Sequence, residues 1–353
     1  MNKKAVFDRS SFRLCQIPVP KGYPQSQTHC GVVFVDGICY MTTSPYPAKV
    51  INIWYARLKR LINILSFGYL CNPLRAEAFE NPCIYMGANS NNNPPIQFEL
   101  MSEKPLMDTP EDYYGLPSYN SDPDIFYEDG KFYILNRSVL RTKIYPDHRP
   151  YDSKTRIYLI SGEREGNKFK MISNTLIREW EKPYASPCLT KYNGKYLFTY
   201  IDTNSANDGQ TFNGIYYSLS DNIDTLKSNA ELKETIIKGV DLLPWHMSLF
   251  QYNEKLYTII SCVEKGRKTH IWQMLGEYSD DLSELFIYST PLTDYNSYRG
   301  SACIADNDNL VLYTPTVHEK VKGSRSVDGR DILMVETSFM ELLTRLKSNE
   351  TEI

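Results

Sequence analysis

The chain has 353 residues, 42% of them hydrophobic, so one large domain or two ordinary ones with a sizeable core are possible and global disorder is excluded. Its 39 basic and 42 acidic residues leave a net charge of −3, which removes any global electrostatic case for nucleic acid. No run of about 18 apolar residues occurs, so no transmembrane helix is expected.

The chain opens with MNKKAVFDRSSFRLC, a basic start with no apolar stretch behind it. No secretory signal is expected, and synthesis in the cytoplasm follows. The first strong element is HCGVVFVDGICYM (29–41), an apolar strand, an Asp36-Gly37 turn and a second strand. Asp-Gly suits a two-residue hairpin because both central residues can take positive φ. Next comes PAKVINIWYARLKRLINILSFGYLCNPLRAEAF (47–79). Ile51, Trp54, Leu58, Leu61, Ile62 and Leu65 fall at helical spacing, with Lys49, Arg57, Lys59 and Arg60 around them. An inserted amphipathic helix is expected within about 48–76, packing on its own domain or docking a protein partner or second copy through 50–67. After it, FENP (79–82) precedes CIYMG, another strand candidate. Glu80 and Asn81 are candidate site residues there, although a turn alone would explain Asn-Pro.

Four more stretches repeat the opening layout. They are DPDIFYEDGKFYIL (122–135), SPCLTKYNGKYLFTY (186–200), HMSLFQYNEKLYTII (246–260) and RGSACIADNDNLVLY (299–313), with turns at Asp129-Gly130, Asn193-Gly194, Asn253-Glu254 and Asp306-Asn307. Between them lie strand candidates TRIYLISGE (155–163), NGIYYSLSD (213–221) and HIWQMLGEYS (270–279). One hairpin plus two further strands makes a four-stranded unit of about 50–60 residues, and five such units read as a five-bladed β-propeller. A pair of β-sandwiches is the competing fold. The C-terminal ILMVETSFMELLTRLKSNETEI reads as a closing strand and a short helix, with the tail at about 337–353. The whole chain, 1–353, is then one all-β domain. Its eight cysteines show no CxxC pair and several sit in strand-like runs, so they read as buried reduced thiols, with a disulfide framework as the alternative.

In a propeller the first strand of each unit lines the axis, so equivalent positions form a ring. Eight residues before the second turn residue stand His29, Asp122, Ser186, His246 and Arg299. All five are polar, although the residues that follow are mostly apolar. Polar groups converging on one mouth can bind hydroxyls or exchange protons. Asp124 lies two residues beyond Asp122 and should share its face. Trp245, beside His246, is a candidate platform for a sugar ring.

The hairpins resemble those of the five-bladed propeller glycosidases of the glycoside hydrolase family 43 type, the arabinanase and levansucrase-like group. SDPDIFYEDGKFYIL is similar to their second-blade motif and ASPCLTKYNGKYLFTY to their third. The resemblance implies a blade-one Asp base, a blade-two Asp that orients and tunes the acid, and a blade-three Glu acid. Those positions hold His29, Asp122 and Ala185, so one of three carboxylates is kept. TSPYP (43–47), ENP (80–82), SDPD (121–124), WH (245–246) and YRGS (298–301) also resemble a propeller set found in bacteria and their phages. That set often has Asp two residues after the His, where this chain has Ser248.

The resulting expectation is a glycosidase-like protein acting on an oligosaccharide or polysaccharide. Asp122, Glu80 and Asp124 are the candidate catalytic residues, and His29, Asn81, Ser186, Trp245, His246 and Arg299 the substrate-binding ones. The alternative is a non-catalytic glycan-binding or structural propeller, including a component of a virion or other assembly. No phosphate loop or dinucleotide fingerprint implies a cofactor. A channel-bound metal ion on His29, Asp122, Asp124 and His246 is the one exception considered.

Overall fold

The computed structural model describes all residues except 1–3, 22, 24, 46–61, 63–64, 67–79, 89–93, 111–117, 142–152, 182–183, 204–211, 228–231, 265–266, 320, 327–328 and 352–353. The helix expected within 48–76 lies outside the described residues, apart from Ile62, Leu65 and Ser66.

The described chain is built from antiparallel strands. A two-residue strand, β1 (Arg13–Leu14), comes first. The first unit holds β2 (Gln27–Val35), β3 (Ile38–Pro45), β4 (Cys83–Ala88) and β5 (Glu99–Leu100). The second holds β6 (Tyr119–Glu128), β7 (Lys131–Arg141), β8 (Ser153–Glu165) and β9 (Lys168–Trp180). The third holds β10 (Tyr184–Tyr192), β11 (Lys195–Thr203), β12 (Phe212–Ser220) and β13 (Lys233–Lys238). The fourth holds β14 (Leu243–Tyr252), β15 (Lys255–Glu264), β16 (Arg267–Tyr278) and β17 (Glu284–Ile287). The last holds β18 (Ser301–Ile304), β19 (Asn309–Pro315) and β20 (Ile332–Ser338), and β1 completes it as the outer strand.

The first strands close a ring: β2 lies beside β6, β6 beside β10, β10 beside β14, β14 beside β18, and β18 returns to β2. This is a propeller. Each of the five seams is filled by its own buried apolar cluster, from the Tyr40, Ile84 and Ile134 cluster between the first two units to the Cys30, Met41 and Tyr313 cluster where last meets first. The third and fourth units also share their rims, because β13 pairs in parallel with β17 and fuses them into one eight-stranded sheet.

The first four hairpin turns have the backbone that their sequences predict. Asp36-Gly37, Asp129-Gly130, Asn193-Gly194 and Asn253-Glu254 all have positive φ at both positions. The fifth differs. The Ala305 N–H bonds the Asn309 carbonyl, leaving the three residues Asp306 to Asp308 in the loop, and Asp308 takes the positive φ of 60°. The closing strand and tail helix expected at the C-terminus are present as β20 and a helix over Phe339–Thr351. That helix buries Phe339, Leu342, Leu343 and Leu346 against the seam of the fourth and last units. Among the described residues all cysteines are free and buried.

Candidate functional site

The ring positions are set by irregularities at the start of the first strands. Ladder register breaks between Thr28 and Gly31, Ser121 and Asp124, Ala185 and Cys188, and Pro244 and His246. At three of these bulges the ring residue takes a left-handed backbone, with φ of 54° at His29, 53° at Asp122 and 49° at Ser186. A bulge re-aims a side chain that would otherwise alternate across the sheet, and such outliers concentrate at functional sites. It also explains the prolines. Pro123 and Pro187 sit inside the breaks, where no ladder donor is needed. Gly31 completes the first bulge. A Cβ there would stand 3.1 Å from the Asp124 Cα and 2.9 Å from Thr42 Oγ1, so only glycine lets β2 approach β6 this closely.

The geometry converges on Asp122, whose carboxylate is fully buried. Oδ1 stands 2.8 Å from His29 Nδ1 and 3.4 Å from His246 Nδ1, and accepts a hydrogen bond from Ser121 Oγ at 3.1 Å. Oδ2 accepts the Ser186 N–H at 3.0 Å and stands 3.1 Å from Arg137 Nε. Arg137 reaches in from β7 and donates through Nη1 to the Tyr184 carbonyl at 2.8 Å. Ser186 Oγ lies 2.8 Å from His246 Nδ1. On the far side of His29, Nε2 lies 3.3 Å from Glu80 Oε2 and 3.3 Å from Ser121 Oγ. The Tyr298 ring packs edge-on against His29 and tilted against His246, at centroid distances of 4.8 and 4.5 Å, and Trp245 stands beside His246 at 5.9 Å.

The two histidines are pushed in opposite directions. Burial works to lower His29, but Asp122 and Glu80 on either side outweigh it and raise its pKa. Burial lowers His246 well below the ordinary histidine range, and the positive charge of His29, Arg137 and Arg299 reinforces it against Asp122. His29 is therefore biased towards the imidazolium, and His246 is a neutral ring at pH 7. The Asp122 and Ser186 contacts assign the His246 proton to Nδ1, leaving Nε2 buried as an acceptor with no partner among the described residues. Burial works to raise Asp122, and Arg137, His246 and His29 overcome it, holding the carboxyl well below its usual range. Environments that separate paired groups in this way assign donor and acceptor roles.

The remaining candidates are placed differently. Arg299 is fully buried and lies on the axis below the ring. It donates to the carbonyls of Pro123, Met247 and Pro187 and to Asp124 Oδ1 at 3.0 Å. Asp124 also accepts the Leu189 N–H at 3.1 Å, and burial raises its pKa to about 6 against the pull of Arg299. The Asp124–Arg299 pair thus pins first strands together. Asn81 is buried in an amide network, accepting from Asn120 Nδ2 at 2.8 Å and donating to Thr109 Oγ1 at 3.1 Å. Ala185, at the position where the resemblance puts an acid, is buried and offers only a methyl group.

Sequence reading missed Arg137, Ser121 and Tyr298. Arg137 sits directly opposite Ser121 in the β6–β7 ladder, so hairpin register could have found it. Tyr298 stood unremarked inside YRGS. One ligand atom from each of His29, Asp122 and His246 lies within 4.8 Å of the others. A cation there would have to displace the His29 proton and share Asp122 with Arg137, so these residues do not fit a metal ion well.

No protein-family model and no curated protein matches the sequence. Solved structures do match the fold. A xylan β-1,4-xylosidase from Bacillus halodurans C-125 is similar over 90% of this chain, at 15% identity and a TM-score of 0.59. The chain spans about half of that enzyme, 54% of its length. A family 43 β-xylosidase/α-arabinofuranosidase from a compost metagenome, solved with xylotriose in a calcium-free form, matches 92% of this chain and 94% of its own, at 14% identity and a TM-score of 0.55. A sucrose-6-phosphate hydrolase from Lactobacillus gasseri matches 93% of this chain and 61% of its own, at 12% identity and a TM-score of 0.58. At these identities the likeness gives the fold, a glycoside-hydrolase-type propeller.

Proposed function

We propose that the protein is a glycosidase-like, carbohydrate-active protein that takes a glycan at the axial mouth. The observation that carries this reading is the chain of contacts Glu80–His29–Asp122. Asp122 has a full set of partners, so its role is to orient and charge His29, the part the resemblance gives a blade-two Asp. Glu80 and His29 are then the proton-exchanging pair. Glu80, with 13% of its side chain exposed, is the group through which a ligand is reached. Trp245, half-buried beside His246, is the aromatic ring available for a sugar face. Positioned acid–base groups contribute about 10²–10⁴-fold to such reactions.

The test is release of reducing sugar from a panel of arabinan, xylan, fructan and uronan oligosaccharides. Wild type is expected to cleave at least one, and Glu80→Gln and His29→Gln to lose about 10²-fold or more of that rate while remaining folded. Full activity in both variants would remove these roles. The second reading, a glycan-binding propeller, is favoured by one observation: Asp122 and Asp124 are both saturated and Ala185 replaces the third carboxylate. Saturable binding with no cleavage after long incubation would select it.

A further inference from the structure

We propose that His246 is a further catalytic residue, the base that takes a proton through Nε2 from the water attacking the glycan. This deepens the reading above and rests on it.

The neighbouring groups are already committed. Asp122 faces His29, His246 and Arg137 and accepts from Ser121 Oγ and the Ser186 N–H. Asp124 is held by Arg299 and the Leu189 N–H. Both nitrogens of His29 are engaged, Nδ1 by Asp122 and Nε2 by Glu80 and Ser121. Ala185 supplies no carboxylate. His246 differs from these, because its Nε2 is buried with no hydrogen-bond partner among the described residues. A buried acceptor normally meets an ordered water or a ligand group. Only a water has to reach Nε2, which suits a ring that is 1% exposed.

The other edge of the ring is built to orient it. Nδ1 lies 2.8 Å from Ser186 Oγ and 3.4 Å from Asp122 Oδ1. Ser186 is held there by its bulge, with a backbone φ of 49°. A carboxylate facing one imidazole nitrogen fixes the tautomer and stabilises the imidazolium formed when the other nitrogen takes a proton. Asp122 is ionised and His246 neutral at pH 7, the forms this step uses. The His29 and His246 ring centroids stand 5.1 Å apart, so donor and acceptor serve one mouth.

The step balances as a hydrolysis. The water oxygen bonds the anomeric carbon, and its proton goes to His246 Nε2. The glycosidic bond breaks with its electron pair on the leaving oxygen, which takes a proton from the Glu80–His29 pair. His246 then returns its proton to that pair through solvent.

The test uses the full chain with arabinotriose, xylotriose, 1-kestose and trigalacturonate. Wild type is expected to cleave at least one. His246→Asn keeps an amide facing Asp122 and removes the Nε2 acceptor, so kcat should fall about 10²-fold or more with KM little changed. In His246→Ala, checked for folding by circular dichroism, added imidazoles should restore part of the rate in proportion to their basicity. Independently of substrate, 15N NMR of wild type should place the His246 proton on Nδ1. A proton on Nε2, full activity in His246→Asn, or rescue indifferent to basicity overturns the base role while the glycan reading stands. So does binding of a probe by wild type, read by calorimetry, without cleavage. Neither binding nor cleavage of any probe overturns both.

Discussion

At the scale of single residues, the site depends on one buried carboxylate between two imidazoles whose proton affinities are pushed in opposite directions. Replacing Asp122 by Asn keeps the shape and removes the charge, so His29 loses its largest raising influence. NMR titration of the ring protons should show His29 titrating above, and His246 below, the ordinary value of about 6.5 in wild type. In Asp122→Asn the His29 midpoint should fall, and an unchanged midpoint would disprove the pairing. The same shifts set the pH dependence of stability. His29 is raised, so its contribution is full below about pH 6.5 and is lost as pH rises through its folded value. His246 is lowered, so its contribution is full above about pH 6.5 and is lost on acidification towards its folded value. Asp122 is lowered too, and its contribution holds above about pH 3.9 and is lost below that. Between about pH 6.5 and 5 the His246 contribution falls while those of His29 and Asp124 grow, so on acidification His246→Asn should lose less melting temperature, or gain more, than wild type. Arg299, counted from the irregular fifth turn, pairs with Asp124. The other four counted positions, His29, Asp122, Ser186 and His246, come together, because counting back from a regular two-residue turn finds equivalent residues whatever their identity. Their positive φ was not legible, since His29 and Ser186 carry no local mark of a left-handed backbone.

At the scale of elements, the hairpins were readable because strand alternation and turn chemistry are local. The contacts made by Glu80 and Arg137 were not, because one arrives from the end of a long connection and the other across a ladder. β1 also escaped notice, as two residues give no periodicity. Its work is nonetheless large, since Arg13 and Leu14 pair with Met334 and Leu333 and cover the outer edge of the last unit. Deleting residues 4–15 should bare β20, lower the melting temperature and promote association at micromolar concentration, read by light scattering. A truncated chain that stays monomeric and equally stable would deny β1 that role. The tail helix is a second such element. Phe339 is fully buried and packs edge-on against Phe250, Tyr252 and Tyr257. Phe339→Ala should cost about 3–5 kcal/mol in urea unfolding.

At the scale of the whole molecule, Arg299 matters more than any surface ion pair. One guanidinium from the last unit reaches carbonyls or carboxylates of the second, third and fourth. Arg299→Met should cost about 3–5 kcal/mol, because it strands Asp124 as a buried, unpaired charge. Asp124→Asn in the same chain should recover part of that loss, which a double-mutant cycle would measure. The parallel pairing of β13 with β17 acts at this scale as well. A propeller's outermost strands are the places where its sheets stop, and a bare strand edge can recruit another chain. Here two neighbouring rims end on each other, with Ile236, Ile237 and Lys238 facing Glu284, Leu285 and Phe286 in register. The stretch from Tyr184 to Ile287 is thus stitched at both axis and rim, so a protease nick in the short link between β13 and β14 would leave its two halves clasped together.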